Sequence, residues 1–213
     1  MSIICPTVLA VEPHEFREQM ERIQGFAERI QIDLMDGEFT TSKSVELSQI
    51  WWPKEIKVDL HLMYETPYEH IDLLKELNPN IVIVHAEADG NFVEFAHELH
   101  ASGIKVGVAL LQHTPVSVIA PAAKHIDHVL IFSGNLGHFG GEADLGLLRK
   151  VAEIRALKED IEIGWDGGIN DKNALALAHE GVDVLNIGGF IQKADEPKQA
   201  YATLKLLVGT EGE

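Results

Sequence analysis

The stretch Ile30–Phe39, IQIDLMDGEF, sets an amide and a carboxylate, Gln31 and Asp33, into what is otherwise a buried-strand pattern. Strand side chains alternate, so these two share a face. Burying both is costly unless that face meets partners. Seven further runs of apolar or β-branched residues surround this one, itself read as a strand over Arg29–Leu34: Ile3–Val8, Ile56–Leu62, Ile81–His85, Lys105–Leu110, His128–Phe132, Ile161–Asp166 and Val184–Ile187. Between them lie amphipathic patterns predicting helices over Pro13–Ala27, Pro67–Leu77, Asn91–Ala101, Leu145–Leu157, Asn170–His179 with Asn170 as N-cap, and Pro197–Leu207. Eight alternating units without a linker or composition shift predict one domain over residues 1–213, a single (β/α)₈ TIM barrel in the α/β class. A doubly wound open sheet is the alternative.

Composition narrows the function classes. The chain of 213 residues is 46% hydrophobic, enough for a sizeable core. With 34 acidic and 17 basic side chains its formal charge is −17, which argues against nucleic acid or an anionic membrane as partner. No apolar run reaches the ~18 residues of a membrane span, and the N-terminal stretch MSIICPTVLAVEPHEF lacks a signal-peptide pattern. The single cysteine, Cys5, lies in an apolar run and reads as packing in a reducing compartment, so a cytoplasmic location is expected. Trp51-Trp52-Pro53 reads as packing under a loop, with a contact in a homo-oligomer as the alternative.

A barrel puts its chemistry on the C-terminal rim of the strands. Thr7, Asp33, Asp36, His61, His85, His113, Ser133, Asp166 and Gly188 all fall at or just beyond predicted strand ends, whereas strand starts carry residues such as Lys57 and Lys105. Facing the axis, Gln31, Asp33, Asp59 and His61 would meet in the centre, with Asp166 approaching from another side. Two carboxylates and a histidine suit metal coordination or proton transfer at carbon. A capping Asp or a hydrogen-bonded core His is the plainer alternative for each taken alone. Three Gly-rich segments follow the last three strands: GHFGGEAD (Gly137–Asp144), DGGIN (Asp166–Asn170) and NIGGF (Asn186–Phe190). Each alone is an ordinary turn, but together they form a candidate phosphate site built from backbone N–H groups. That points to a phosphorylated small molecule.

The segments CPTVLA, IDLMDGEF, VDLHLMYETP, VIVHAEA, GVALLQHTP, LIFSGNLGHFGG, WDGGIN and NIGGFI, in that order along nearly the whole chain, resemble the ribulose-phosphate 3-epimerase family. The resemblance implies a barrel in which two His and two Asp hold a divalent metal, and the two Asp act as acid and base to invert C3 of a ketopentose phosphate. Carried over, Asp33 and Asp166 are the catalytic pair, and Asp33, His61 and Asp166 match three metal ligands. Thr7, Met35, His61, Met63, Gly140, Gly141, Gly167, Gly168, Gly188 and Gly189 match substrate-binding positions. Gln31 stands where the family has the fourth ligand, a His. A bound Zn, Mn, Fe or Mg is therefore expected to be held more weakly or not at all, since an amide oxygen suits a hard cation better than zinc. Alternatively, Gln31 donates a hydrogen bond to Asp33 or to substrate. The family's Pro gives way to Leu136, Glu142 replaces a Gln, and Gly189 replaces a Ser. His138, an added loop residue, is a candidate to approach Gln31, while His97, His100 and His179 read as surface or packing residues. The function implied is a sugar-phosphate epimerase acting on a phosphorylated sugar. Its alternatives are a degenerate sugar-phosphate-binding barrel, or a synthase or decarboxylase; the latter group carries DxKxxD where this chain has KVDLHLM.

Overall fold

A computed structural model describes residues 1–138 and 141–209. Eight parallel strands close into a barrel in sequence order: β1 (Ile3–Val8), β2 (Arg29–Met35), β3 (Lys57–Met63), β4 (Ile81–His85), β5 (Lys105–Leu110), β6 (His128–Phe132), β7 (Glu162–Asp166) and β8 (Val184–Ile187). The barrel, not the open sheet, is the fold. β8 returns to pair with β1, matching Cys5 to Asn186, so no strand edge is left.

The alternation read in β2 holds around the barrel. Ile30, Ile32, Leu34, Leu60, Leu62, Val82 and Val84 belong to the main core that the strands share with helix residues such as Phe16, Met20 and Leu99. The opposite faces point inward, where Ile81, Ile83, Ala109 and Leu130 form a small separate cluster. Interior space is tight: a Cβ at Gly164 would lie 2.5 Å from His128 Nε2, so glycine makes room for that ring.

The connections depart from the sequence reading in instructive ways. The first helix, Pro13–Ile23, starts at its proline with a Glu12/Glu15 capping box but stops before Gly25. The fifth predicted helix begins at Ala174 with Asn173 at its N-cap position. Asn170 is committed to the preceding turn, donating its N–H to Asn173 Oδ1 and accepting from Lys172 N. Val116–His125, for which the sequence offered no helix, is a run of 3₁₀ turns interrupted by Pro121. Trp52 packs against the core, and Trp51 meets Phe16 edge-on at 6.1 Å while staying 41% exposed.

The polar residues do not gather on one rim only, which corrects the expectation from strand ends. At the N-terminal end of the barrel, Arg29 bonds Asp59 through Nε (2.7 Å) and Glu162 through both terminal nitrogens (2.8 and 2.7 Å). His128 Nδ1 lies 2.8 Å from Glu162, and Asn80 donates to Asp59. Asp59 therefore belongs to a structural ion cluster, and only His61 of the β3 pair reaches the other end. Burial opposes ionisation of Glu162, but hydrogen bonds from Arg29 and His128 outweigh it and hold that carboxyl well below the usual range.

Candidate active site

At the C-terminal end, β2, β3 and β7 converge on one buried constellation. Gln31 Nε2 donates to Asp33 Oδ1 at 2.8 Å and to Asp166 Oδ2 at 2.5 Å. His61 Nδ1 lies 2.8 Å from Asp33 Oδ1 and 3.8 Å from Asp166 Oδ2. Two carboxylates from opposite sides of the barrel thus share one amide, which answers what the buried pair in β2 is bonded to. Burial first, then the neighbouring charge of Asp33, pushes the Asp166 carboxyl up to about 7, with His61 and Gln31 opposing. One ligand atom from each of Asp33, His61 and Asp166 lies within 4.8 Å of the others, so these three residues are able to hold a metal ion. Gln31 Oε1 is buried without a hydrogen-bond partner among the described residues. Turning the amide over would exchange its two ends and offer that oxygen as a further hard ligand.

Behind His61 runs a second row of polar groups. His61 Nε2 and His85 Nε2 are 2.9 Å apart, and His85 Nδ1 lies 3.5 Å from Glu87. Glu87 in turn accepts from the Thr114 hydroxyl and from Leu111 N. Phe39 and Phe132 flank the His85 ring at 4.7 and 6.0 Å between centroids. Burial lowers the His85 imidazole to about 4, with Glu87 opposing and the neighbouring His61 adding to the effect. A neutral imidazole here fixes the orientation of His61 through one shared proton.

A cavity of about 320 Å³ opens over the carboxylates. Asp33 and Asp166 form its floor together with Thr7 and Met63, and Gly141, Gly167, Gly168, Gly188 and Gly189 line another side. Trp165 Nε1 donates to Gly167 O, Asn170 and Asn173 donate to Gly168 O, and Ile191 N and Gln192 N donate to Gly188 O. In a trans peptide the next N–H points opposite its carbonyl, so anchoring these carbonyls aims the N–H groups of Gly168, Ile169 and Gly189 away from the anchors. A Cβ built on Gly189 meets nothing within 4 Å, whereas one on Gly168, at φ +71°, would sit 2.1 Å from Ala143 N.

The remaining expected residues scatter. Met35 lines two neighbouring grooves, not this cavity, and His61 is sealed beneath the floor with no exposure. Gly140 lies outside the described residues. His138 is exposed on the cavity wall, while Gln31 is fully buried with its amide already bonded to Asp33 and Asp166, so the suggested approach of His138 to Gln31 is not what the structure has. Glu142, whose charge would be unfavourable beside a phosphate, is exposed and absent from the cavity lining. Sequence reasoning missed Asn186 and Lys193, both on the wall. Lys193 follows the glycine pair of β8 by one short helix, Gly189–Gln192, so helical spacing was the available signal.

The sequence model of the Ribulose-phosphate 3 epimerase family matches residues 3–192. Ribulose-phosphate 3-epimerase from Mycobacterium tuberculosis (strain ATCC 25618 / H37Rv) is 30% identical over 215 residues, covering 97% of this chain and 93% of the relative. The Aquifex aeolicus enzyme of the same name is 31% identical, covering 98% and 97%. Among solved structures, 3-hexulose-6-phosphate synthase from Salmonella typhimurium superposes with TM-score 0.72 at 14% identity, covering 97% and 98%. The 3-keto-L-gulonate-6-phosphate decarboxylase from Vibrio cholerae gives 0.71 at 11%, covering 98% and 97%. At those identities the structural likeness establishes the barrel alone.

Proposed function

The chain belongs to the ribulose-phosphate 3-epimerase family, and from that membership we propose that it is a sugar-phosphate epimerase that inverts the carbon next to the carbonyl of a ketopentose phosphate. The observation that carries the reading is the pair Asp33 and Asp166, brought from β2 and β7 to one amide at the floor of one cavity. In the reaction, one ionised carboxylate takes the proton from C3 and the electron pair moves into the carbonyl as an enediolate. The other, protonated carboxyl delivers a proton to the opposite face of C3. One proton leaves the sugar and one enters, and the two acids end with exchanged protonation, set for the reverse direction. The raised carboxyl of Asp166 supports its role as the group holding a proton near neutral pH.

The Gln31 amide bonds both carboxyl groups and keeps them close, and His85 Nε2, 2.9 Å from His61 Nε2, holds that imidazole beside them. A divalent cation held by Asp33, His61 and Asp166 would supply positive charge to the developing oxyanion. With Gln31 contributing at most an oxygen, the donor set favours Mg or Mn over Zn. The phosphate is assigned to the glycine-lined side, where Gly168 and Gly189 N–H groups and Lys193 oppose the overall charge of −17. Binding to Arg29 keeps Asp59 out of the chemistry, which weighs against the synthase and decarboxylase alternatives that rely on strand three. The test is proton NMR of the purified protein with a ketopentose phosphate. Appearance of the C3 epimer supports the reading. Release of formaldehyde or carbon dioxide from a hexulose phosphate or a keto-gulonate phosphate, without epimer, would replace it, and binding without any conversion would leave a sugar-phosphate-binding barrel.

A further inference from the structure

Asn186 is the middle of β8, and its neighbours in the chain, Leu185 and Ile187, face the outer core. Its own side chain therefore faces the barrel interior, level with Asp166 on one side and Cys5 on the other. It is 2% exposed and lines the cavity, yet neither Nδ2 nor Oδ1 has a hydrogen-bond partner among the described residues. Cys5, also buried, is not among its partners, and Asp166 is bonded to Gln31 instead. Folding a buried amide with both ends unpaired is unfavourable, and a strand interior has ample apolar residues to choose from. The arrangement makes physical sense when a ligand completes it.

The chemistry of that ligand group follows from the amide. Whichever way round it is turned, one end donates and the other accepts. A hydroxyl does both at once, and being neutral it is not repelled by Asp33 and Asp166. Position selects which hydroxyl. Asn186 is level with one proposed acid and two residues before Gly188, so a carbon chain running from the carboxylates to the glycine-lined side passes over it. Resting on the epimerase reading above, we propose that Asn186 is a specificity residue that binds the hydroxyl on the carbon between the reacting carbon and the phosphate-bearing carbon. A site with paired donors and acceptors rejects analogues lacking the matching hydroxyl because its own polar groups are then left unpaired.

The test is calorimetric titration of the wild type and Asn186→Val with three probes: a ketopentose phosphate, its analogue deoxygenated at that intervening carbon, and inorganic phosphate. The wild type is expected to favour the hydroxylated sugar phosphate by about 10–100-fold. Asn186→Val should bind both sugar phosphates alike, at the level of the deoxy compound, with affinity for inorganic phosphate unchanged. Its Tm should be at least that of the wild type, because an unpaired buried amide has been removed. Retained discrimination in Asn186→Val, or a lower Tm showing that the amide already has a partner within the protein, would overturn the inference. If the variant does not fold, the wild type alone decides: equal affinity for the two sugar phosphates refutes the role of Asn186 while leaving the epimerase reading intact. Failure of the wild type to bind either one would bring down both.

Discussion

Replacing Gln31 by Leu isolates what its amide does. The side chain is fully buried, so the two hydrogen bonds from Nε2 to Asp33 and Asp166 are unscreened by solvent. Hydrogen bonds to charged groups contribute about 1.5–3 kcal/mol each, so the pair amounts to about 3–6 kcal/mol. Against this, the substitution also removes Oε1, which has no partner and whose burial is unfavourable by about 1–3 kcal/mol. Taking the middle of each range, the net expectation is a loss of about 2.5 kcal/mol, since leucine fills a similar volume and leaves no large cavity. For a chain of this length each kcal/mol shifts Tm by roughly 2–4 °C, giving a drop of roughly 5–10 °C. The assay is thermal unfolding by circular dichroism at a pH well above 7, where the Asp166 carboxyl is ionised, in the presence of a chelator, so that no cation substitutes for the amide. Gln31→Leu melting with, or above, the wild type would refute the idea that the amide holds the two carboxylates together.

Three further expectations test other parts of the account. Gln31→His, which supplies an imidazole beside Asp33, His61 and Asp166, should tighten zinc binding in a competition titration against a chromogenic chelator; equal affinity would show that Gln31 does not limit metal binding. Gly189→Val should fold normally, because its Cβ meets nothing within 4 Å, but should abolish phosphate-ester binding by filling the cavity side, whereas Gly168→Val should also lose stability from its left-handed backbone and the clash with Ala143. In each case calorimetry and a melting curve on the same sample separate binding from folding. Glu162→Gln should lower stability by about 2–3 kcal/mol at pH 7 through loss of its bonds to Arg29. Because the folded carboxyl is held below its unfolded value of ~4.3, that contribution is present above this pH and fades as pH falls toward the folded value. A wild-type-to-variant difference that stayed constant from pH 7 to strongly acid conditions would contradict the assignment.

The barrel was legible because each strand carries its own signature: β-branched runs bounded by turns, eight times over, with helical periodicity between. Asp33, His61 and Asp166 were legible because strand-end position and alternation are local properties, and both place these side chains inward at one end. What local pattern cannot give is which inward groups meet across the barrel. Arg29 and Glu162 lie 133 residues apart, and only closure of β2 and β7 around the axis joins them. The same holds for the amide of Gln31 against Asp166, 135 residues away. Asn186 read as the first letter of a glycine turn, yet alternation with Leu185 and Ile187 is what turns it inward. Met35 shows the converse: the family resemblance implied a substrate-binding position, but the loop from Asp36 to Lys43 folds back through an antiparallel bridge, and Met35 ends up lining grooves beside it.

Solvent deuterium incorporation at C3 of a ketopentose phosphate, followed by proton NMR in D₂O for the wild type, Asp33→Asn and Asp166→Asn, tests the central claim most directly. Two-carboxylate proton transfer predicts deuterium at C3 in the wild-type product and a loss of about 10²–10⁴-fold in each variant, with both variants folded. Epimer formed without solvent deuterium, or full exchange surviving in either variant, would contradict it.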